Sequence, residues 1–284
     1  MRRFVAGITL TLLTVAGLVV VPTSALAVGG GVISIRCGFS HSAQVDPIVA
    51  PGPPGTLSDH EHDFLAARTV SSDSTFDSMR IGGTTCPLSA DTAGYWVPSL
   101  YKNGQKIQPK HMFVYYRSPG GTLVRAFPSD LRVIAGGDTR TPPAPTRSQL
   151  SLSWACSDSA PFYTQPPNCG SNKLKAHVHF PDCWDGMNLD PGDHRSHLAY
   201  ASGKTCPSSH PVLLARLSMH ITYGISDGTG ATLTSDHDQP NGTQLHADFW
   251  NTWDQSVLEF LVNRCLNGGR SCKQMTDQKL ADMI

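Results

Sequence analysis

Eight cysteines in a loop-rich chain constrain this fold more than any other feature of the sequence. They are Cys37, Cys86, Cys156, Cys169, Cys183, Cys206, Cys265 and Cys272. All lie downstream of an N-terminal run, 1–27, that reads as an export signal. Arg2 and Arg3 are followed by an apolar stretch from Phe4 to Val21, and Ala25-Leu26-Ala27 forms an A-x-A cleavage site. An even number of cysteines in an exported chain reads as disulfides, and the lack of a C-x-x-C pair argues against thiolate metal sites. Sequence alone leaves about a hundred pairings open. Preference for short loops points to Cys156–Cys169, Cys183–Cys206 and Cys265–Cys272, leaving Cys37–Cys86. Four such staples suit a domain with long loops, at roughly 2–4 kcal/mol each.

The rest of the composition agrees. Only Glu61 and Glu259 are glutamates, while Gly (26) and Pro (21) are plentiful, which favours strands and loops over helix. Basic and acidic residues balance at 22 each, and removal of the signal leaves a slightly acidic chain, so no general attraction to nucleic acid or to membranes is expected. The expected product is a secreted, extracellular monomer. Its parts are a lead segment with the first strand (28–36), a single β-rich domain (37–272) and a C-terminal tail (273–284). Short strands separated by turn signals predict a β-sandwich or jelly-roll-like core with long disulfide-stapled loops. The clearest strands are Val32–Cys37, Gly94–Tyr101, His111–Arg117, Arg132–Ala135, Leu152–Cys156, Leu174–Phe180, Arg216–Ile225 and Gln244–Trp250. Pro142–Pro145 reads as a surface loop. One short C-terminal helix is expected, from the Asp254 N-cap to Cys265, because Val257, Leu258, Leu261 and Val262 recur at helical spacing.

Leu174–Tyr200 holds most of the chemistry that composition leaves unexplained. Along its strand, Ala176, Val178 and Phe180 point one way; Lys175, His177 and His179 point the other. Asp193, His194, Arg195 and His197 follow in a Pro/Gly-rich loop. Elsewhere His60 and His62 are two apart, as are His246 and Asp248, so each pair shares a side of an extended segment. Several imidazoles with a carboxylate would bind zinc or copper, although no spacing matches a zinc-protease motif. The bland alternative is that these histidines only order long loops over a sheet.

Several runs together resemble the secreted "domain of unknown function nineteen-ninety-six" family. They are VDPIVAPG (45–52), SDHEH (58–62), YWVPSLY (95–101), FPDCWDGMNLD (180–190), DHRSHLAY (193–200), CPSSHPV (206–212) and HADFWNTWD (246–254). SDHEH departs from a simpler Ser-His-x-His, which implies that Asp59 is dispensable. The resemblance implies one large secreted domain and supplies no reaction.

The expected function is action on extracellular polysaccharide through a His-rich polar cleft, as a lyase or hydrolase with or without metal. The catalytic candidates are His177, His179, His194, His197, Asp193, Arg195 and Lys175. The metal candidates are His60, His62, His246 and Asp248. Trp96, Trp253 and Tyr200 are candidates for contacting the glycan. Alternatives are a non-catalytic glycan- or wall-associated module and a secreted metal-binding protein. No G-x-S-x-G elbow and no phosphate-cradling loop is present, so no nucleotide cofactor is expected.

Overall fold

The computed structural model describes residues 29–136, 152–159 and 161–284. The export signal and the Pro142–Pro145 loop lie outside these residues. The first strands are β1 (Val32–Ala43), β2 (His62–Ala66), β3 (Gly94–Pro98), β4 (Leu100–Lys102), β5 (Gln105–Lys106) and β6 (Pro109–Arg117). Next come β7 (Arg132–Ala135), β8 (Leu152–Ala155), β9 (Phe162–Tyr163), β10 (Lys175–His179), β11 (Cys183–Trp184) and β12 (Leu198–Ala199). The last are β13 (Val212–Leu213), β14 (Arg216–Tyr223), β15 (Thr232–Leu233), β16 (Ala247–Trp250) and β17 (Ser271–Cys272). The helices are short: α1 (Phe76–Ile81), α2 (Gln255–Leu261) and α3 (Asp277–Ala281).

The fold is mainly β. One large antiparallel sheet, ordered β7-β16-β3-β2-β1-β6-β14-β10-β8-β9, curls around a single core, and β17 adds to β1 in parallel. The two-residue alternation of strands sorts the side chains. Leu65, Tyr95, Val97, Val133 and Phe249 from one half of the sheet share the inner core with Ile33, Val114, Tyr116, Ala176, Val178 and Met219 from the other. The halves meet as the layers of a sandwich do, with the Phe180 and Phe249 rings 6.2 Å apart. On the outer face of β2, β3, β16 and β7 the alternate residues Phe64, Trp96, Trp250 and Ile134 form a second cluster. Ile48, Val70 and Met79 from the long loops cover it. That covering is what positions the site described below.

All four disulfides pair as short loops predict: Cys37–Cys86, Cys156–Cys169, Cys183–Cys206 and Cys265–Cys272. The C-terminal helix begins at Asp254, whose carboxylate accepts from the Ser256 and Val257 amides, and continues into a π-helical turn, Val262–Asn267. The sequence reading finds only this helix. α1 and α3 are six and five residues long, too short to show a period, and rest instead on the N-caps Thr75 and Thr276.

Candidate metal site

β2 and β16 lie on either side of β3, so the hydrogen-bond ladder brings His62 and Asp248 to the same outer face. His60, just before β2, and His246, just before β16, complete a group in which three imidazole nitrogens lie within 4.8 Å of one another. Asp46, from the 44–60 loop, and Asp248 form a second, overlapping group around His62. His60, His246, Asp46 and Asp248 line a cavity of about 410 Å³, with Asp193, His194, Arg195 and His237 also on its walls.

The hydrogen bonds fix which nitrogen of the His62 and His246 rings faces inward. His62 Nδ1 donates to the Val45 carbonyl (3.0 Å), and His246 Nδ1 donates to the Gln244 carbonyl (3.1 Å). His60 Nδ1 lies 2.6 Å from the Asp59 carboxylate but makes no hydrogen bond among the described residues. A carbonyl can only accept, so in their neutral forms the His62 and His246 rings present bare Nε2 lone pairs. Burial pushes the His62 imidazole well below its ordinary range, with the His60 and His246 charges adding to the effect. Burial holds His246 down to about 3. The Nε2 atoms of His60 and His246 are 3.2 Å apart. Two imidazoles sharing a tetrahedral zinc, with bonds of about 2.0–2.1 Å, would hold their nitrogens roughly 3.3 Å apart. Rings tied at Nδ1 so that Nε2 is aimed at one point are how proteins prepare histidine for a metal.

The carboxylates point to the same conclusion. Asp248 is 1% exposed, and neither of its oxygens has a hydrogen-bond partner among the described residues. His62 Nε2 is also buried without one. Asp46 uses Oδ1 to accept from the Ile48 and Val49 amides, which leaves Oδ2 turned toward His62, 4.0 Å from its Nε2. Burial raises both carboxyls, that of Asp248 far above the usual range, with the Asp46 charge adding to it. Unpaired buried carboxylates are costly, and a cation at this point would satisfy them.

The mouth of the cavity is built by the 190–197 loop. Arg195 reaches across and donates to the Gly136 carbonyl (2.7 Å). Gly136 has φ +100, and a Cβ there would stand 2.9 Å from the His246 Cα, so glycine is required for this approach. His194 is held at φ 57, an uncommon conformation for a residue with a side chain. Its Nδ1 bonds Asp190 (2.7 Å), whose other oxygen accepts from Arg132 (2.7 Å). Arg132 in turn stacks on Trp250, 4.0 Å from the ring centre.

The structure does not bring every expected residue here. Asp193 is at the mouth but serves a turn. It accepts from the Arg195 and Ser196 amides, which lower its pKa to about 2. His197 is buried, with Nε2 donating to the Arg132 carbonyl. Lys175, His177 and His179 lie on β10, on the other half of the sheet. There His177 stacks on His220 at 4.0 Å, and Lys175 pairs with Asp158 at 2.6 Å. Tyr200 donates to the His179 carbonyl on that same side. Trp96 and Trp253 are core residues at 0% and 1% exposure, and present no ring face to solvent. Sequence reasoning passed over Asp46, Arg132 and His237, and weighed Asp190 as a paired carboxylate but preferred turn duty for it. Asp46 stands in a Pro-rich run and Asp190 before Pro191, where a carboxylate reads as turn punctuation.

A family model described as Domain of unknown function (DUF1996) matches residues 46–253. The chain belongs to that family. The match spans Asp46, His60, His62, His246 and Asp248, so the whole candidate centre lies inside the family's domain. No curated protein and no solved structure matches the chain. Among the described residues no helix is long and apolar enough to cross a membrane. The four disulfides are of the kind that persists in oxidising compartments.

Proposed function

We propose that this chain is a secreted, metal-dependent enzyme of the lyase or hydrolase type, acting on extracellular polysaccharide at the β2–β16 cavity. The observation that carries the reading is the convergence of three histidines, His60, His62 and His246, the last two anchored at Nδ1, beside the unpartnered buried carboxylate of Asp248. Three imidazoles and a carboxylate suit zinc or copper. A metal held there would polarise a substrate oxygen. Arg195 at the mouth would hold a carboxylate such as that of a uronic acid. His194, oriented by Asp190, would take up or deliver the proton. For a lyase, His194 would remove the proton next to that carboxylate, the glycosidic C–O bond would break, and the departing oxygen would take a proton from water.

A second reading has its own support: His62 and Asp248 are both buried, as they would be in a closed metal site with no turnover. The test is elemental analysis of the mature protein, purified without chelator or His-tag, followed by polyuronate cleavage assays. One equivalent of zinc or copper with metal-dependent cleavage is the expected result. Metal without cleavage leaves the binding-protein reading. No metal in a folded protein overturns both.

A further inference from the structure

The outer face of the other half of the sheet carries a second feature, which shares no lining residue with the β2–β16 cavity. A cavity of about 560 Å³ opens beside the Cys37–Cys86 disulfide. Its walls carry Arg36, Arg68, Lys110, His111 and Lys279, and no acidic residue. These side chains come from β1, the segment after β2, β6 and α3, so the fold assembles a cluster that no basic run in the sequence announces. All four Lys and Arg side chains are exposed, and none makes an ion pair among the described residues. Arg36 instead donates to His111 Nδ1 (3.2 Å), and Arg68 to the Thr84 carbonyl (2.9 Å). In a chain whose charges balance, four unpaired cations around one hollow are a concentrated anion-attracting field.

An aromatic row leads away from this hollow. His111, Phe113, Tyr115 and Arg117 share one side of β6 and are half-buried. The His111 and Phe113 rings are 5.7 Å apart, and those of Phe113 and Tyr115 are 6.0 Å apart and nearly parallel. The Arg117 guanidinium lies 4.2 Å from the centre of the Tyr115 ring. The seven residues from His111 to Arg117 span about 20 Å. The strip therefore has cations at both ends and flat rings between them. Asp158, the carboxylate whose charge reaches Tyr115, is itself paired with Lys175 at 2.6 Å.

We propose that this strip binds a chain of acidic polysaccharide, with sugar faces on Phe113 and Tyr115 and carboxylate or sulfate groups on Arg117 and in the Arg36–Lys110 hollow. Charge complementarity selects a polyanion. The disulfides place the chain in an oxidising compartment, where carboxylated and sulfated glycans are the polyanions at hand. The claim rests on this strip's own residues and not on turnover at the β2–β16 cavity.

The test is retention of the full mature protein on immobilised heparin and polygalacturonate, with neutral dextran and duplex DNA of matched charge as comparators. Salt-sensitive retention on the acidic glycans, and none on dextran, is expected. The Arg36→Glu, Arg68→Glu, Lys110→Glu triple variant should weaken it at least tenfold. Phe113→Ala should weaken it less, and Arg270→Glu, outside the strip, should leave it unchanged. Melting curves would confirm that each variant folds. Metal-stripped protein and His62→Ala should be retained as the parent is, which separates this site from the metal cavity. No retention at low salt, retention unaffected by the triple reversal, or tighter binding to DNA than to glycan would overturn the proposal.

Discussion

The two histidine clusters of this sheet look alike in sequence and differ in their physics. At the β2–β16 cluster His62 and His246 are tied at Nδ1 with Nε2 left bare, His60 lies against them, and Asp248 is buried beside them without a partner. At the β10–β14 cluster His177 and His220 lie flat on one another, 4.0 Å apart and 11° from parallel. The carboxylate there, Asp158, is exposed and already paired with Lys175. The first gathers lone pairs and negative charge that a cation would satisfy; the second already holds its cation. An unpaired buried carboxylate, and not the number of histidines, is what marks a metal site here.

The sharpest way to break this contrast is to supply zinc and read stability. At free zinc a hundredfold above Kd, the parent should gain about 2.7 kcal/mol. For a domain of this size that is roughly 5–10 °C in Tm. His62→Ala should abolish the gain and His177→Ala should keep it. Equal gains in both variants would erase the distinction.

Asp248→Asn should act in two directions. Calorimetric titration should show zinc affinity falling by more than the roughly 10–100-fold typical of an outer-sphere change. At alkaline pH the metal-free variant should melt higher than the parent, because no charge remains to be buried. A lower melting point would mean that Asp248 has a partner the account omits.

The β10–β14 pair makes a prediction about protons. Burial holds His177 down to about 4 and His220 to about 3, against an ordinary 6.5. The folded state keeps both neutral while the unfolded chain protonates, so stability should be full above about pH 6.5 and fall toward about pH 3–4. Denaturant titrations at about pH 7 and pH 4.5 should show a smaller fall in His177→Phe. An unchanged slope would place the linkage elsewhere. The smallest effect belongs to Asp59→Ala, which removes the carboxylate 2.6 Å from His60 Nδ1. It should weaken zinc about tenfold with little change in metal-free stability. If zinc affinity is untouched, Asp59 is as dispensable as the SDHEH departure implies.

The sequence made much of this fold legible. Loop length alone picks the four disulfides that form, and alternation in Leu174–Phe180 and Gln244–Trp250 places their core faces correctly. The His60/His62 and His246/Asp248 pairs were visible because two-residue spacing survives from sequence to strand. Strand order was not visible. β10 carries the most conspicuous histidines, yet it lies four places from β2 across the sheet, so His177 and His179 could not join the cavity. Asp190, before Pro191, reads as a turn residue, and Asp193 as a catalytic candidate. Only Asp193 is confined to turn duty, while Asp190 bridges Arg132 and His194. Trp96 and Trp253 could have been platforms or core, and burial decides for core.

The central claim is tested most directly by anomalous diffraction at the zinc edge from zinc-soaked crystals of metal-stripped protein. The account predicts one peak about 2.0–2.1 Å from Nε2 of His60, His62 and His246, with an Asp248 or Asp46 oxygen about 2.0–2.2 Å away. An empty cavity in ordered crystals, or a peak between His177 and His220 instead, would contradict it.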